Sequence, residues 1–192
     1  KESCDRNDSL LIFDEVITGF RVNSGGAQSF FGITPHLATF AKAAAGGFPV
    51  SILTGSKEIM SLIGAGTVMH GGTLNANVMS MAATKSSMEH LSDRKIQTNQ
   101  KLHDLGQRLM EGLQDINSRL EAGMLIQGPG SVFAVSFTYG KEVFDYRSHV
   151  ENSDPDRYAV FVSEMMKRGI RINSRGIWFL SESHTDMDIE ST

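Results

Sequence analysis

The stretch LLIFDEVITGFR, residues 10–21, runs an apolar tract directly into two adjacent carboxylates, Asp14 and Glu15. Leu10, Leu11, Ile12 and Phe13 predict a strand buried on both faces, with the acids marking its surface end. The same position has a functional reading, because α/β proteins bind ligands at the carboxyl ends of parallel strands. Spacing alone leaves both readings open. Strand geometry then separates the acids. Side chains two apart share a face, so Asp14 and Val16 point one way and Phe13 and Glu15 the other. One carboxylate and one small apolar group thus face the same space. Glu15 is expected to be a structural ion-pair partner behind it, with Arg21 as the candidate cation.

Downstream, LATFAK reads as a second short buried strand ending at Lys42, which Ala41, Ala43, Ala44 and Ala45 flank and Gly46 and Gly47 follow. A lysine in so small and apolar a setting either snorkels to water or sits where its amine can be deprotonated and used. The intervening ITGFRVNSGGAQSFFGITPH is rich in Gly, Ser and Asn and predicts an irregular surface excursion, long enough to suggest a function. PVSILTGS predicts a third strand, with Ser56 as a helix cap, and SLIGAGTVMHGGTLNAN a second Gly-rich connection. That connection does not fit a phosphate-binding P-loop, because no Gly-Lys-Ser/Thr ends it.

From Asn75 the texture turns helical. NANVMSMAATKSSMEHL predicts a largely buried helix capped by Asn75 or Asn77. After Asp93, Leu102, Leu105, Leu109, Leu113, Ile116 and Leu120 recur at steps of three or four, the mark of one apolar helix face, ended by Gly123. A compact α+β pattern follows: strand SVFAVSF, a polar loop from Tyr139 to Pro155, helix DRYAVFVSEMMKRG, strands IRIN and IWFLS, and a last helix opened by a Thr185–Asp188 capping pair. A domain boundary is expected near residue 93, giving domains 1–92 and 93–192.

Composition limits the function classes. The chain has 192 residues, 40% hydrophobic and 21% charged, as expected for a globular protein of one domain or two small ones. A net charge of -4 without any basic run argues against nucleic acid as a partner. The longest apolar stretch is broken by Lys42, Gly46, Gly47 and Pro49, which argues against a membrane span. Cys4 stands alone, so no disulfide framework or cysteine zinc site is expected, and a reducing, cytoplasmic compartment is the default. His70 and His184 are expected as loop and cap residues, not metal ligands, and Asp186 and Asp188 as first-turn acids. The opening KESCDRND lacks an initiator Met and a signal peptide, and enters a strand within ten residues, as a piece of a longer chain would.

Taken together, an Asp on an apolar strand, Val two residues on, Lys42 with Gly-Gly behind it, and GGT at 71–73 form a multi-part pattern. It resembles the class III family of pyridoxal-phosphate-dependent aminotransferases, and within it most the glutamate-1-semialdehyde aminomutase branch. The segments that carry the resemblance are LLIFDEVITGFRV, GGAQSFFGITPHLATFAKAAAGGFPV, HGGTLNANVMSMAA and FLSESHTDMDIE. The resemblance implies an α/β, fold-type-I transferase, of which this chain would be the C-terminal half: part of the mostly parallel-sheet cofactor domain, then a small α+β domain. It implies pyridoxal 5'-phosphate as cofactor, and an amino donor and a keto acid or aldehyde acceptor as substrates.

It also implies roles. Asp14 would pair with the pyridine nitrogen and keep it protonated, and Val16 would pack on the ring. Lys42 would form the Schiff base and later shuttle the proton. Thr73 would bind the phosphate, with Gly71 and Gly72 letting the backbone approach, and would serve the neighbouring subunit's site, so that a homodimer is implied. Three departures qualify this. His36 replaces a usual Asp. Gly176 stands where the mutases carry an active-site glutamate, and Trp178 where they carry glycine. The N-terminal half, with its phosphate loop and a ring-stacking aromatic, is outside these residues. Arg175 is a candidate for a substrate carboxylate, with a solvated arginine as the alternative. An aminotransferase, a mutase with intramolecular amino transfer, and a catalytically silent fragment keeping only the fold remain the readings to separate.

Overall fold

The computed structural model describes residues 1–93 and 97–192, and these form two compact units, Lys1–Asn99 and Gln100–Thr192. The first unit opens with helix α1 (Glu2–Arg6), whose acid and base lie at the ends the helix dipole favours. Strand β1 (Ile12–Asp14) pairs in parallel with β2 (Leu37–Phe40), in the register Ile12 to Leu37, Phe13 to Ala38 and Asp14 to Thr39. Strand β3 (Ile52–Gly55) lies antiparallel on the other side of β2, giving the order β1-β2-β3.

Burial differs from the expected two-sided pattern. The central strand buries Ala38 and Phe40, whereas Leu10 and Ile12 are 55% and 54% exposed. The cause is position: β1 is an edge of this sheet, so only β2 flanks it.

The excursion between β1 and β2 is not irregular throughout, because it contains α2 (Gly26–Phe31), stopped by Gly32. Ser56 caps α3 (Lys57–Gly64), accepting the Ile59 N–H at 3.4 Å, so the second Gly-rich connection begins later than expected. Asn77, not Asn75, caps α4 (Val78–Ser92) through the Ser80 N–H at 3.2 Å. That helix is not largely buried: Ser80 is its buried residue, while Val78 and Met79 lie open.

The long helix α5 (Thr98–Leu120) buries Leu102, Leu105, Leu109 and Leu113 in the core of the second unit. It ends before Gly123, with Glu121 in the left-handed region, and the Asn117 side chain bonds both the N–H and the carbonyl of Met124. The apolar face packs with an antiparallel sheet of β4 (Met124–Gln127), β5 (Val132–Phe137) and β6 (Ile177–Phe179). Strand β4 was not anticipated from the sequence. The IRIN segment is not a strand; the sheet is complete as β4-β5-β6. The expected polar loop holds α6 (Tyr146–Asn152), opened by an Asp145–Ser148 capping box. Asp154 then caps α7 (Pro155–Lys167), and Thr185 with Asp188 opens α8 (Asp186–Glu190) as expected.

Candidate active site

Parallel pairing decides what the end of the first sheet presents. Because β1 and β2 run the same way, Asp14 at the end of β1 and Lys42, two residues past β2, come to the same end of the sheet. This is where α/β sheets offer ligands a crevice.

The two adjacent acids have opposite environments. Asp14 is exposed. Its Oδ1 accepts the Val16 N–H at 3.0 Å and faces the Thr39 hydroxyl at 3.4 Å, and among the described residues no donor reaches Oδ2. Val16 follows the strand in a turn, so its backbone N–H is the group that meets Asp14. Glu15 is 1% exposed. Its carboxylate accepts the N–H groups of Ala27 and Gln28, each at 2.8 Å, and the Thr18 hydroxyl. These donors open α2, so Glu15 holds a helix start. Gly26 is required there, since a Cβ would lie 2.6 Å from the Glu15 carboxylate. Arg21, the cation expected for Glu15, is half-buried, and desolvation pulls its guanidinium below the usual range.

Lys42 opens a 3₁₀ turn, Lys42–Ala45, in which Ala44 and Ala45 are buried. Its own side chain is exposed, and its amine has no hydrogen bond or ion pair with a described residue. Its backbone lies at φ +46°, a left-handed conformation uncommon for a residue with a side chain and one that clusters at functional sites.

The other expected site residues have settings of their own. Gly72 and Thr73 are exposed in the turn that leads to α4, where Asn75 N–H bonds the Gly72 carbonyl at 3.0 Å. No hydrogen bond links Thr73 to Asp14 or Lys42. Arg175 belongs to the second unit. It is exposed in the turn before β6, and its N–H donates to Asn173 Oδ1 at 2.7 Å.

Two departures from the mutase pattern are built into packing. Gly176 has φ +80°, and a Cβ there would meet the Val135 carbonyl at 2.7 Å. Trp178 is a core residue whose Nε1 donates to the Tyr158 hydroxyl at 3.0 Å. Sequence reasoning overlooked Thr39. Its one signal was being the single hydroxyl side chain in β2, between Ala38 and Phe40.

Among the described residues no cluster of three or more His, Cys, Asp and Glu could hold a metal ion, and no helix is long and apolar enough to cross a membrane.

A parallel strand pair that brings a carboxylate and a lysine to one sheet end defines an α/β protein with a candidate ligand crevice. The Aminotransferase class-III profile matches residues 1–180, and the chain belongs to that family. It is 38% identical over 195 residues to the glutamate-1-semialdehyde 2,1-aminomutase of Alkaliphilus oremlandii, a match covering 100% of this chain and 44% of that protein. Among solved structures, an omega-transaminase from Sphaerobacter thermophilus superposes with a TM-score of 0.83 at 30% identity, over 99% of this chain and 43% of that one. A β-phenylalanine aminotransferase from Variovorax paradoxus gives 0.82 at 28%, over 99% and 44%. The chain thus spans less than half the length of the curated relatives it matches.

Proposed function

We propose that the protein containing this chain is a pyridoxal-5'-phosphate-dependent class III aminotransferase, moving an amino group from a small amino donor to a keto acid or aldehyde acceptor. The observation that carries this reading is the joint presentation of Asp14 and an unpaired Lys42 at the carboxyl end of the parallel β1–β2 pair. Both side chains suit the cofactor: Asp14 keeps one oxygen without a donor, and Lys42 keeps a free amine. The bound cofactor supplies an aldehyde that amines attack and a protonated ring that withdraws electrons from the substrate carbon.

The chain's own residues supply the rest. Asp14 would keep the ring nitrogen protonated, since a carboxylate beside it favours the charged form. Lys42 would hold the cofactor through Nζ, its amine replacing the aldehyde oxygen, which leaves as water, and the freed amine would serve as general base and acid. Val16 packs on the ring. Gly72 and Thr73 offer backbone and hydroxyl to the phosphate of a neighbouring subunit, which makes the working form a homodimer. The exposure of Met69, Leu74, Val78 and Met79 around that turn supports a subunit contact there. Arg175 meets a substrate carboxylate. The single cysteine, Cys4, suits a reducing cytoplasm.

Intramolecular transfer by a glutamate-1-semialdehyde mutase is the second reading, favoured by the curated relatives. Gly176 weighs against it, because its packing leaves no room for the mutase glutamate.

The test is to incubate the full-length protein with pyridoxal phosphate, reduce it with borohydride and map the added mass. A cofactor-sized adduct on Lys42 and turnover with separate donor and acceptor support the reading. A colourless protein without the adduct would overturn the reading, and turnover of glutamate semialdehyde without an acceptor would mean a mutase.

A further inference from the structure

We infer that Thr39 is the positioning residue for Asp14: with the Val16 N–H it holds Oδ1, and so commits Oδ2 to the cofactor ring nitrogen. This rests on the cofactor reading above. The two contacts to Asp14 converge on the same oxygen, at 3.0 Å from Val16 N and 3.4 Å from Thr39 Oγ1. The second is long for a hydroxyl bond, so Thr39 is the weaker of the two anchors.

One anchor alone would leave the carboxylate free to pivot, because the terminal torsion of an aspartate is broad and two-fold. Two anchors from different directions fix its plane. Val16 reaches Oδ1 from the turn after β1, and Thr39 reaches it from the neighbouring strand, where it is the register partner of Asp14.

Thr39 is also held firmly enough to act as a reference point. Its carbonyl accepts the Glu15 N–H at 2.9 Å, so backbone and side chain of one residue grip the end of β1. Ala38 and Phe40 on either side are buried, which turns the Thr39 side chain to the opposite face of the strand. Lys42 follows three residues later on the same segment. A single strand end thereby carries the lysine and sets the direction of the acid.

The experiment compares wild type, Thr39→Val and Thr39→Ser in the full-length protein. Valine keeps the β-branched shape and removes the hydroxyl; serine keeps the hydroxyl and removes the methyl. Spectroscopic titration should show Thr39→Val binding pyridoxal phosphate about ten-fold more weakly, the low end for the loss of one hydrogen bond to a charged group. The pH profile of the bound cofactor's absorbance should shift in Thr39→Val and return in Thr39→Ser, while the thermal midpoint of the cofactor-free protein stays put. Wild-type affinity and pH profile in Thr39→Val would overturn the inference, and so would Thr39→Ser behaving like Thr39→Val, since packing would then be the cause. If wild type itself takes no cofactor on Lys42, the functional reading falls and this one with it. If wild type is labelled and Thr39→Val is indistinguishable from it, the positioning role alone falls.

Discussion

Asp14 and Glu15 are neighbours in sequence with opposite environments, one exposed and one buried, and substitutions should separate them. Asp14→Ala removes the group assigned to the ring nitrogen but no packing, so the borohydride adduct on Lys42 should persist while turnover falls roughly a hundred-fold or more. Glu15→Gln is different. The buried carboxylate accepts from two backbone N–H groups at 2.8 Å, and an amide must turn its NH₂ toward one of them. The expected cost is about 1–3 kcal/mol in urea-induced unfolding, with Lys42 labelling retained. Equal activity losses in both variants would show the pair wrongly divided. Gly176→Glu, which restores the residue type of the mutases, should not create a mutase. A side chain at φ +80° facing the Val135 carbonyl should lower stability by about 2–3 kcal/mol, read from the denaturation midpoint. That two adjacent acids close an apolar strand was legible in the sequence, but β1 stops at Asp14 and Val16 lies in a turn, so strand alternation does not set their faces. Thr39 was not legible, because its role depends on the register between β1 and β2, which hydrophobic patterning along one strand does not specify.

At the scale of elements, the second unit starts three helices with side-chain caps, and acid should loosen them. The Ser148 N–H and hydroxyl hold Asp145 below the usual carboxylate range, the Arg157 N–H and then the Tyr139 hydroxyl do so for Asp154, and the Thr185 hydroxyl and N–H do so for Asp188. A carboxyl depressed by folding stabilises the native state above the ordinary aspartate value of 3.8 and loses that contribution as pH falls through the folded value. The thermal midpoint should therefore decline below about pH 4, and Asp154→Asn should flatten that acid limb. A variant with an unchanged limb would remove Asp154 from the explanation. The Thr185–Asp188 cap was legible because its residue types and spacing are local. Helix α6 was missed although its Asp145–Ser148 capping box is local, whereas the missed strand β4 and the false strand at IRIN share another cause. Whether an apolar run becomes a strand depends on a vacant edge, and the edges of β5 are filled by residues from two distant segments.

For the whole molecule, the two units differ in how completely they cover their apolar surface. The second gathers a continuous core from α5, its sheet and α7, whereas the first leaves Leu10, Ile12, Phe31, Met69, Leu74 and Val78 open. A polypeptide of these residues alone should self-associate, because an exposed apolar area of this kind drives association. Light scattering should detect it, with the full-length protein a discrete dimer. A monodisperse monomer of the isolated residues would contradict the assignment of that surface to contacts.

The left-handed backbone at Lys42 sets selection for durability against selection for chemistry. Any side chain at φ +46° carries a penalty of about 1–2 kcal/mol, which glycine escapes. Lys42→Gly should accordingly melt higher than Lys42→Ala, although both lack the amine. A library randomised at position 42 would enrich glycine and asparagine when sorted by heat resistance, and lysine alone when sorted by turnover. The residue proposed to carry the chemistry occupies a position where the fold itself would prefer almost no side chain.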